Sequence, residues 1–496
     1  MGNMIKLEPS KLEKIRDMDS RVQSYNIEMT ELTGGTFWAP YTQEQIEGIE
    51  EFPCPTAKED VIALLKGLHV KQPEIDLYEP RIRTLAKALG PVIIRFSGSW
   101  ASRTYYDFDG HTNGEVPEGF EYILTREQWQ GALDFAKEVG AQILVSLANS
   151  CGVHENGTGA WQPEQAKLLW DYTESQGMRI DYAEFMNEPN LLSGMLLPEG
   201  YDAEDFARDH DLFANWLKEN HPECKLVGPC SADSPRHAMV GGNLITLIKG
   251  EEFLDRFQVM PEIYSYHSYN GNSERGQFFG CHYQPDQILT EEYLGLTMTD
   301  LEYYSKQRDK YMPGADMWVT ESADAACGGN TWAPTFVETI RYIDELARFS
   351  MNTKGIIFHN TLASSAYGLL ESGTHQPRPQ YWGGLLFNML AGTEVYDTGE
   401  PIREGVHLYA HSRRDGKPGT CYIYINNSET ETMEIEVPEC TYYTLSADKL
   451  RSQKIMLNGK VLEMPDEYTM PDLCGQPMKS GILQIFPCTV NFIVTD

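Results

Sequence analysis

Residues 181–190 read Asp-Tyr-Ala-Glu-Phe-Met-Asn-Glu-Pro-Asn, which sets Glu188 between Asn187 and Pro189. Residues 316–322 read Asp-Met-Trp-Val-Thr-Glu-Ser and carry Glu321 behind a short apolar run. Two carboxyl groups brought to one point can cleave a glycoside with retention. One donates a proton to the leaving oxygen, and the other attacks the anomeric carbon from about 5–5.5 Å away. A Glu that closes an apolar run is more often a solvated charge than a catalyst. At 188 the flanking Asn and Pro argue against that, because Pro ends a strand and fixes its turn. At 321 the argument is the presence of a partner three repeats upstream.

Opposed strand ends of a parallel barrel would hold the two groups at that distance. Apolar runs of four to eight residues occur at 22–29, 92–96, 142–148, 182–187, 225–228, 262–267, 317–320 and 355–359, as buried parallel strands require. Stretches with helical spacing lie between them, at 78–89, 126–139, 163–176, 203–220, 291–310 and 336–349. Eight such runs, with close to eight helical stretches of which these are examples, predict an α/β fold, a (β/α)₈ TIM barrel over residues 21–390, whose function gathers at the C-terminal strand ends. After residue 390 the runs become short, alternating and rich in Tyr, Thr, Ile and Val, which predicts an antiparallel β-sandwich over 391–496. Residues 1–20 are expected to dock on that sandwich or to stay loose.

These stretches resemble glycoside hydrolase family 79, a family of β-glucuronidases and heparanases. The resemblance runs through Lys225-Leu-Val-Gly-Pro229, Tyr266-His-Ser-Tyr269-Asn-Gly271, Gly328-Gly-Asn-Thr-Trp-Ala-Pro-Thr-Phe336, Tyr367-Gly-Leu-Leu370, Arg378-Pro-Gln-Tyr-Trp382 and Leu390-Ala-Gly-Thr393. It implies a barrel with a C-terminal β-sandwich, Glu188 as general acid/base and Glu321 as nucleophile. Asn187 would bond the sugar 2-hydroxyl, and Tyr269 would orient Glu321 and keep it ionised. Glu28, Asn149, Tyr367 and His267 join the expected substrate-binding set. Two departures stand out. Met186 replaces the usual glycine before Asn-Glu-Pro. Ala326 and Cys327 stand where a Tyr that binds a glucuronate carboxylate is expected, leaving the backbone amides of Cys327, Gly328 and Gly329 for that role.

Other residues are candidates on chemistry alone. Trp100, Tyr105, Tyr106 and Trp161 fall on predicted mouth loops, where aromatic faces could stack on sugar rings or seal the barrel. Arg103, His375 and Arg378 could supply positive charge to a uronate. Glu184 lies on the same strand face as Glu188 and needs a buried partner, for which Arg95 is the candidate. His407 and His411 have metal-ligand spacing for a helix, but on a strand they stand about 13 Å apart. No metal and no cofactor is expected.

The chain has 496 residues, with 40 Lys+Arg against 73 Asp+Glu and a formal net charge of −33. That field repels polyanions, so nucleic acid, an anionic membrane surface and highly sulfated polymers are poor partners. A small-molecule glycoside is the better ligand. Ten scattered cysteines without a CxxC pair, and the lack of a leader-like apolar start or a membrane-spanning run, lead us to expect a cytoplasmic protein. The leading expectation is a retaining β-glycosidase, an exo-acting β-glucuronidase on small glucuronides. The alternatives are the same machinery on a neutral β-glycoside, such as a glucoside or a disaccharide-linked flavonoid, and a non-catalytic sugar-binding protein on a glycosidase scaffold.

Overall fold

A computed structural model describes residues 4–55, 58–192, 195–238, 247–279 and 281–496. Among them, eight parallel strands close into a barrel. These are β1 (Gln23–Glu28), β2 (Ile93–Ser97), β3 (Gln142–Ser146), β4 (Tyr182–Glu184), β5 (Lys225–Ser231), β6 (Ile263–Tyr269), β7 (Asp316–Ala323) and β8 (Ile357–His359). The helices that follow them are α1 (Pro80–Ala88), α2 (Arg126–Val139), α3 (Glu164–Ser175), α4 (Ala203–Asn220), α5 (Gly250–Leu254), α6 (Leu296–Tyr311), α7 (Phe336–Asn352) and α8 (Pro379–Leu390). The expected fold class is therefore found, each of the eight runs supplying one strand.

Local chemistry sets the helix ends. Thr125 accepts the Gln128 amide and Gln128 bonds back to Thr125, a capping box that starts α2. Asp202 accepts the amides of Glu204 and Asp205 at the start of α4. Gly140 ends α2 in a left-handed turn.

Alternation along the strands builds the barrel interior in layers. Ile93, Leu144, Tyr182, Val227, Ile263, Trp318 and Phe358 form an apolar floor. Two residues further along their strands, Arg95, Ser146, Glu184, Ser265 and Thr320 are buried in a polar layer. The strand ends differ from expectation in ways that matter for the site. β4 stops at Glu184 rather than 187, while β5, β6 and β7 run on to 231, 269 and 323. A register shift after Tyr266 sets His267 opposite Glu321, a placement that bulges near active sites often serve.

Beyond α8 the chain forms two antiparallel layers. The large sheet includes Ala391–Asp397, His407–Arg413, Thr420–Asn426, Cys440–Ser446 and Thr489–Thr495, and Glu13–Asp17 adds an edge strand to it. The small sheet pairs Met433–Val437 with Gly481–Ile485 and with Ile5–Lys6. Tyr422 and Tyr424 face the small sheet, whereas Cys421, Ile423 and Ile425 join the barrel core. The N-terminal strands thus lie in both sandwich sheets. The sandwich is welded to the barrel through α7 and α8.

Candidate active site

A cavity of about 300 Å³ opens at the C-terminal end of the barrel. Its walls include Glu28, Trp100, Asn187, Glu188, His267, Tyr269, Glu321, Cys327 and Tyr367. β1 delivers Glu28, the turn after β4 delivers Asn187 and Glu188, β6 delivers His267 and Tyr269, and β7 delivers Glu321. Of the residues singled out from sequence, these nine meet at one place.

Glu188 reaches the cavity because its backbone turns left-handed, with φ +45°, immediately before Pro189. That conformation is uncommon for a non-glycine residue. The turn is pinned by Asn190, whose side chain donates to the Ile248 carbonyl at 2.7 Å and accepts the Ala232 amide at 2.8 Å. The chain therefore leaves the ladder three residues earlier than its apolar pattern suggests.

A single carboxylate oxygen of Glu188, Nδ1 of His267 and a carboxylate oxygen of Glu321 all lie within 4.8 Å of one another. His267 Nδ1 stands between the acids, 2.8 Å from Glu188 Oε1 and 3.4 Å from Glu321 Oε2. Tyr269 donates its phenol proton to Glu321 Oε2 at 2.7 Å. Arg95 donates Nη1 to Glu321 Oε1 at 3.0 Å and Nη2 to Asn187 Oδ1 at 2.7 Å. The expected Arg95–Glu184 pair is present, at 2.6 Å, and Cys230 Sγ bonds the other Glu184 oxygen at 2.9 Å. One guanidinium thus ties the buried acid below to the two groups above.

The environments divide the carboxyl groups. Burial alone would push Glu321 up, but the positive charges of His267 and Arg95, with the Tyr269 hydrogen bond, hold it below the usual carboxylate range. Glu28 is equally buried and feels the charge of Glu321, so its carboxyl is raised well above its ordinary value. His267 rises well above the usual imidazole range: burial opposes its charge, but Glu321, Cys230 and Glu188 favour it more strongly. Burial lifts the Cys327 thiol to about 11, so it is no nucleophile at neutral pH.

Several expected residues lie elsewhere. Asn149 is not part of the cavity wall. β3 ends at Ser146, and the Asn149 side chain is held by His154 Nε2 at 3.1 Å and the Tyr201 hydroxyl at 3.3 Å. Gly328 and Gly329 sit behind Cys327, packed against Trp38 and Tyr367 with φ near +80°. The amides of Cys327, Gly328 and Gly329 donate to no backbone or side-chain acceptor among the described residues. Trp161 packs on Phe185 and Phe213 and Tyr106 on Phe108, both away from the cavity. Arg103 pairs with Glu121, His375 with Glu79, and Arg378 holds the carbonyls of Ser365, Ala366 and Gly368. None of these three side chains lines the cavity.

Other wall residues carried no local sequence signal. Phe37 and Trp38 come from a hairpin outside the barrel count, with Phe37 edge-on to Trp100 at 4.9 Å. Asn360 follows β8 and Asn272 follows β6. A motif search could have reached Asn360 only through its place just past a strand end.

The Glu188–His267–Glu321 set has ligand types that could hold a divalent cation, as do Asp107, Asp109 and His111 near the surface. His407 and His411 lie on one strand, as expected, and are held by Asp344 and by the Gly392 carbonyl respectively.

Comparison with known proteins agrees with this geometry. Residues 71–347 match the model of the glycosyl hydrolase family 79 N-terminal domain. Mouse (Mus musculus) heparanase is 25% identical over 473 residues, covering 82% of this chain and 83% of its own. Baicalin-β-D-glucuronidase of Scutellaria baicalensis is 24% identical over 464 residues, covering 84% and 83%. Among solved structures, a 4-O-α-L-rhamnosyl-β-D-glucuronidase from Fusarium oxysporum 12S superposes with a TM-score of 0.61 at 11% identity, covering 99% of both chains. The chain is a glycoside hydrolase, and it belongs to glycosyl hydrolase family 79.

Proposed function

We propose that the protein is a retaining β-glycoside hydrolase with Glu321 as nucleophile and Glu188 as general acid/base. The observation that carries this reading is the approach of their carboxylate oxygens to within 4.8 Å. Inverting enzymes hold the two groups about 6.5–9.5 Å apart to admit a water, so this spacing supports retention. Glu321, kept ionised, attacks the anomeric carbon while Glu188 gives its proton to the departing oxygen. Glu188, now a carboxylate, takes a proton from water. That water attacks the anomeric carbon and releases Glu321. In this reading Asn187, whose Oδ1 accepts from Arg95, bonds the 2-hydroxyl through its amide.

The glycone we favour is a terminal β-glucuronide on a small aglycone. Similarity to a baicalin-β-D-glucuronidase and to heparanases supports it, as do the small cavity and the unengaged amide of Cys327 at its wall. One observation favours a neutral β-glycoside instead: among the described residues no Lys or Arg lines the cavity, and His267 in its wall and Arg95 beneath it are already bound to Glu184, Glu188, Glu321 and Asn187. The ten cysteines are free thiols, which supports a cytoplasmic location, to be checked by fractionation.

The test assays Glu188→Ala and Glu321→Ala on aryl β-glucuronides and β-glucosides. Wild-type turnover by both variants would sink the mechanism. With Glu321→Gly, added azide should yield the glycosyl azide of inverted configuration. The substrate panel decides between the two sugars.

A further inference from the structure

Asn26 and Asn360 take no part in the steps above, yet with Tyr367 they form a hydrogen-bonded chain whose direction can be read atom by atom. It begins at the Thr320 carbonyl, which can only accept. The Asn26 atom 3.0 Å from it is therefore the amide nitrogen. That same nitrogen lies 3.1 Å from the Asn360 side chain, so Asn360 must present its oxygen there. Asn360 Nδ2 is left facing the cavity, 3.0 Å from the Tyr269 hydroxyl and 3.2 Å from the Tyr367 hydroxyl, one amide hydrogen for each. A phenol oxygen that accepts at this point must send its own proton elsewhere. Tyr269 sends it to Glu321. The Tyr367 hydroxyl donates to no acceptor among the described residues, and Tyr367 lines the cavity.

The fold holds this orientation firmly and at a cost. Both asparagines are buried. The Asn26 carbonyl accepts the Leu362 amide at 2.8 Å, and the Asn360 amide donates to Ser322 at 2.9 Å. In this orientation Asn26 Oδ1 is buried without a partner among the described residues. Turning Asn26 over would set that oxygen against two acceptors, the Thr320 carbonyl and the Asn360 Oδ1.

We infer that Asn360, oriented by Asn26, is a positioning residue that aims the Tyr367 proton at the glycone, so the sugar must present a lone-pair acceptor there. The end of the cavity bounded by Glu28, Asn360 and Tyr367 belongs to β1 and β8, across the barrel from Glu188 on the β4 side. Glu188 protonates the leaving oxygen, so the aglycone lies on its side and the glycone lies against Tyr367. A uronate carboxylate, which has acceptors only, satisfies the requirement best. A ring hydroxyl satisfies it by accepting, and a sugar with no oxygen at that point does not. The inference rests on the proposed glycosidase reading and narrows its substrate.

The test is a double-mutant cycle between Asn26 and Tyr367, which share no hydrogen bond and communicate through Asn360. Asn26→Leu, Tyr367→Phe and the pair are assayed for kcat/KM on 4-nitrophenyl β-glucuronide and for binding of D-glucuronic acid by calorimetry. Each single change should lower kcat/KM about tenfold, the weight of one hydrogen bond, mainly through KM. The pair should be no worse than the poorer single variant. Asn26→Asp, similar in volume and unable to donate when ionised, repeats the cycle should the leucine variant fail to fold. Additive losses, or an Asn26 variant with wild-type KM, would overturn the relay. A wild-type protein that turns over no aryl β-glycoside and binds neither D-glucuronic acid nor D-glucose overturns the glycosidase reading instead.

Discussion

Arg95 Nη1 lies 3.0 Å from Glu321 Oε1, and both side chains are all but closed to solvent. Glu321 would resist ionisation in such a place without the charges of Arg95 and His267. Arg95→Lys keeps the charge and loses the fork that spans Glu184, Asn187 and Glu321. We expect kcat/KM to fall about a hundredfold, the weight of a charged hydrogen bond. Glu321 must be ionised to attack, and its carboxyl is held below its ordinary value. Weakening that hold raises it, so the acidic limb of the kcat/KM profile should move to higher pH. An unchanged limb would mean that Arg95 serves packing alone.

Glu188 predicts a dependence on the leaving group. Glu188→Ala removes the proton donor but leaves Tyr269 and Arg95 on Glu321. Aryl glycosides with acidic phenols need little protonation and should keep most of their glycosylation rate. Alkyl glycosides should lose about 10²–10⁴-fold, the usual worth of general acid catalysis. A series of aryl and alkyl β-glycosides checks this. Equal losses across the series would move the acid role to another residue.

The barrel and the two glutamates are legible in the sequence because each leaves a local trace. Apolar runs of strand length mark the staves, and Pro189 marks the turn that exposes Glu188. Arg95 was legible by elimination, since a buried Glu184 demands a cation. Asn360, Cys230 and Trp38 left no such trace. Their roles arise from register between strands distant in sequence and from a hairpin laid over the barrel mouth. Asn149 falls outside the cavity wall for a related reason: the apolar run at 142–148 continues past the hydrogen-bonded strand, which ends at Ser146. Hydrophobicity reports burial and cannot locate where a ladder stops.

His407 sits buried between barrel and sandwich, with Nδ1 2.6 Å from Asp344 and Nε2 2.7 Å from Glu291. Burial opposes its charge, but Asp344 and Glu291 outweigh that and raise its pKa to about 9. Its ordinary value is 6.5, so the stabilisation is fully present below that pH and is lost as pH rises through about 9. Asp344, held down to about 2, contributes stability above its ordinary 3.8 that is lost as pH falls through about 2. Thermal melts should therefore show His407→Gln least stable relative to wild type between pH 4 and 6.5. The gap should narrow by pH 10. A gap independent of pH would show that shape rather than charge joins the two domains here.

Gly98 tests whether the buried Glu28 acid is part of the glycone wall. Its φ is +89°, and a Cβ built there would stand 1.5 Å from Glu28 Oε2. Alanine must therefore push that carboxyl aside as well as accept an unfavourable backbone conformation, which costs about 1–3 kcal/mol. We expect Gly98→Ala to lower the melting temperature by several degrees and to raise KM at least tenfold, leaving the acidic limb set by Glu321 in place. Removing the obstructed group separates the two effects. In Gly98→Ala/Glu28→Ala the clash is gone, so part of the melting temperature should return relative to Gly98→Ala, while KM stays high because the acid that would bond the sugar is absent. A Gly98→Ala enzyme with wild-type KM would show that the Glu28 carboxyl does not touch the glycone, and its burial beside Glu321 would then need a different purpose.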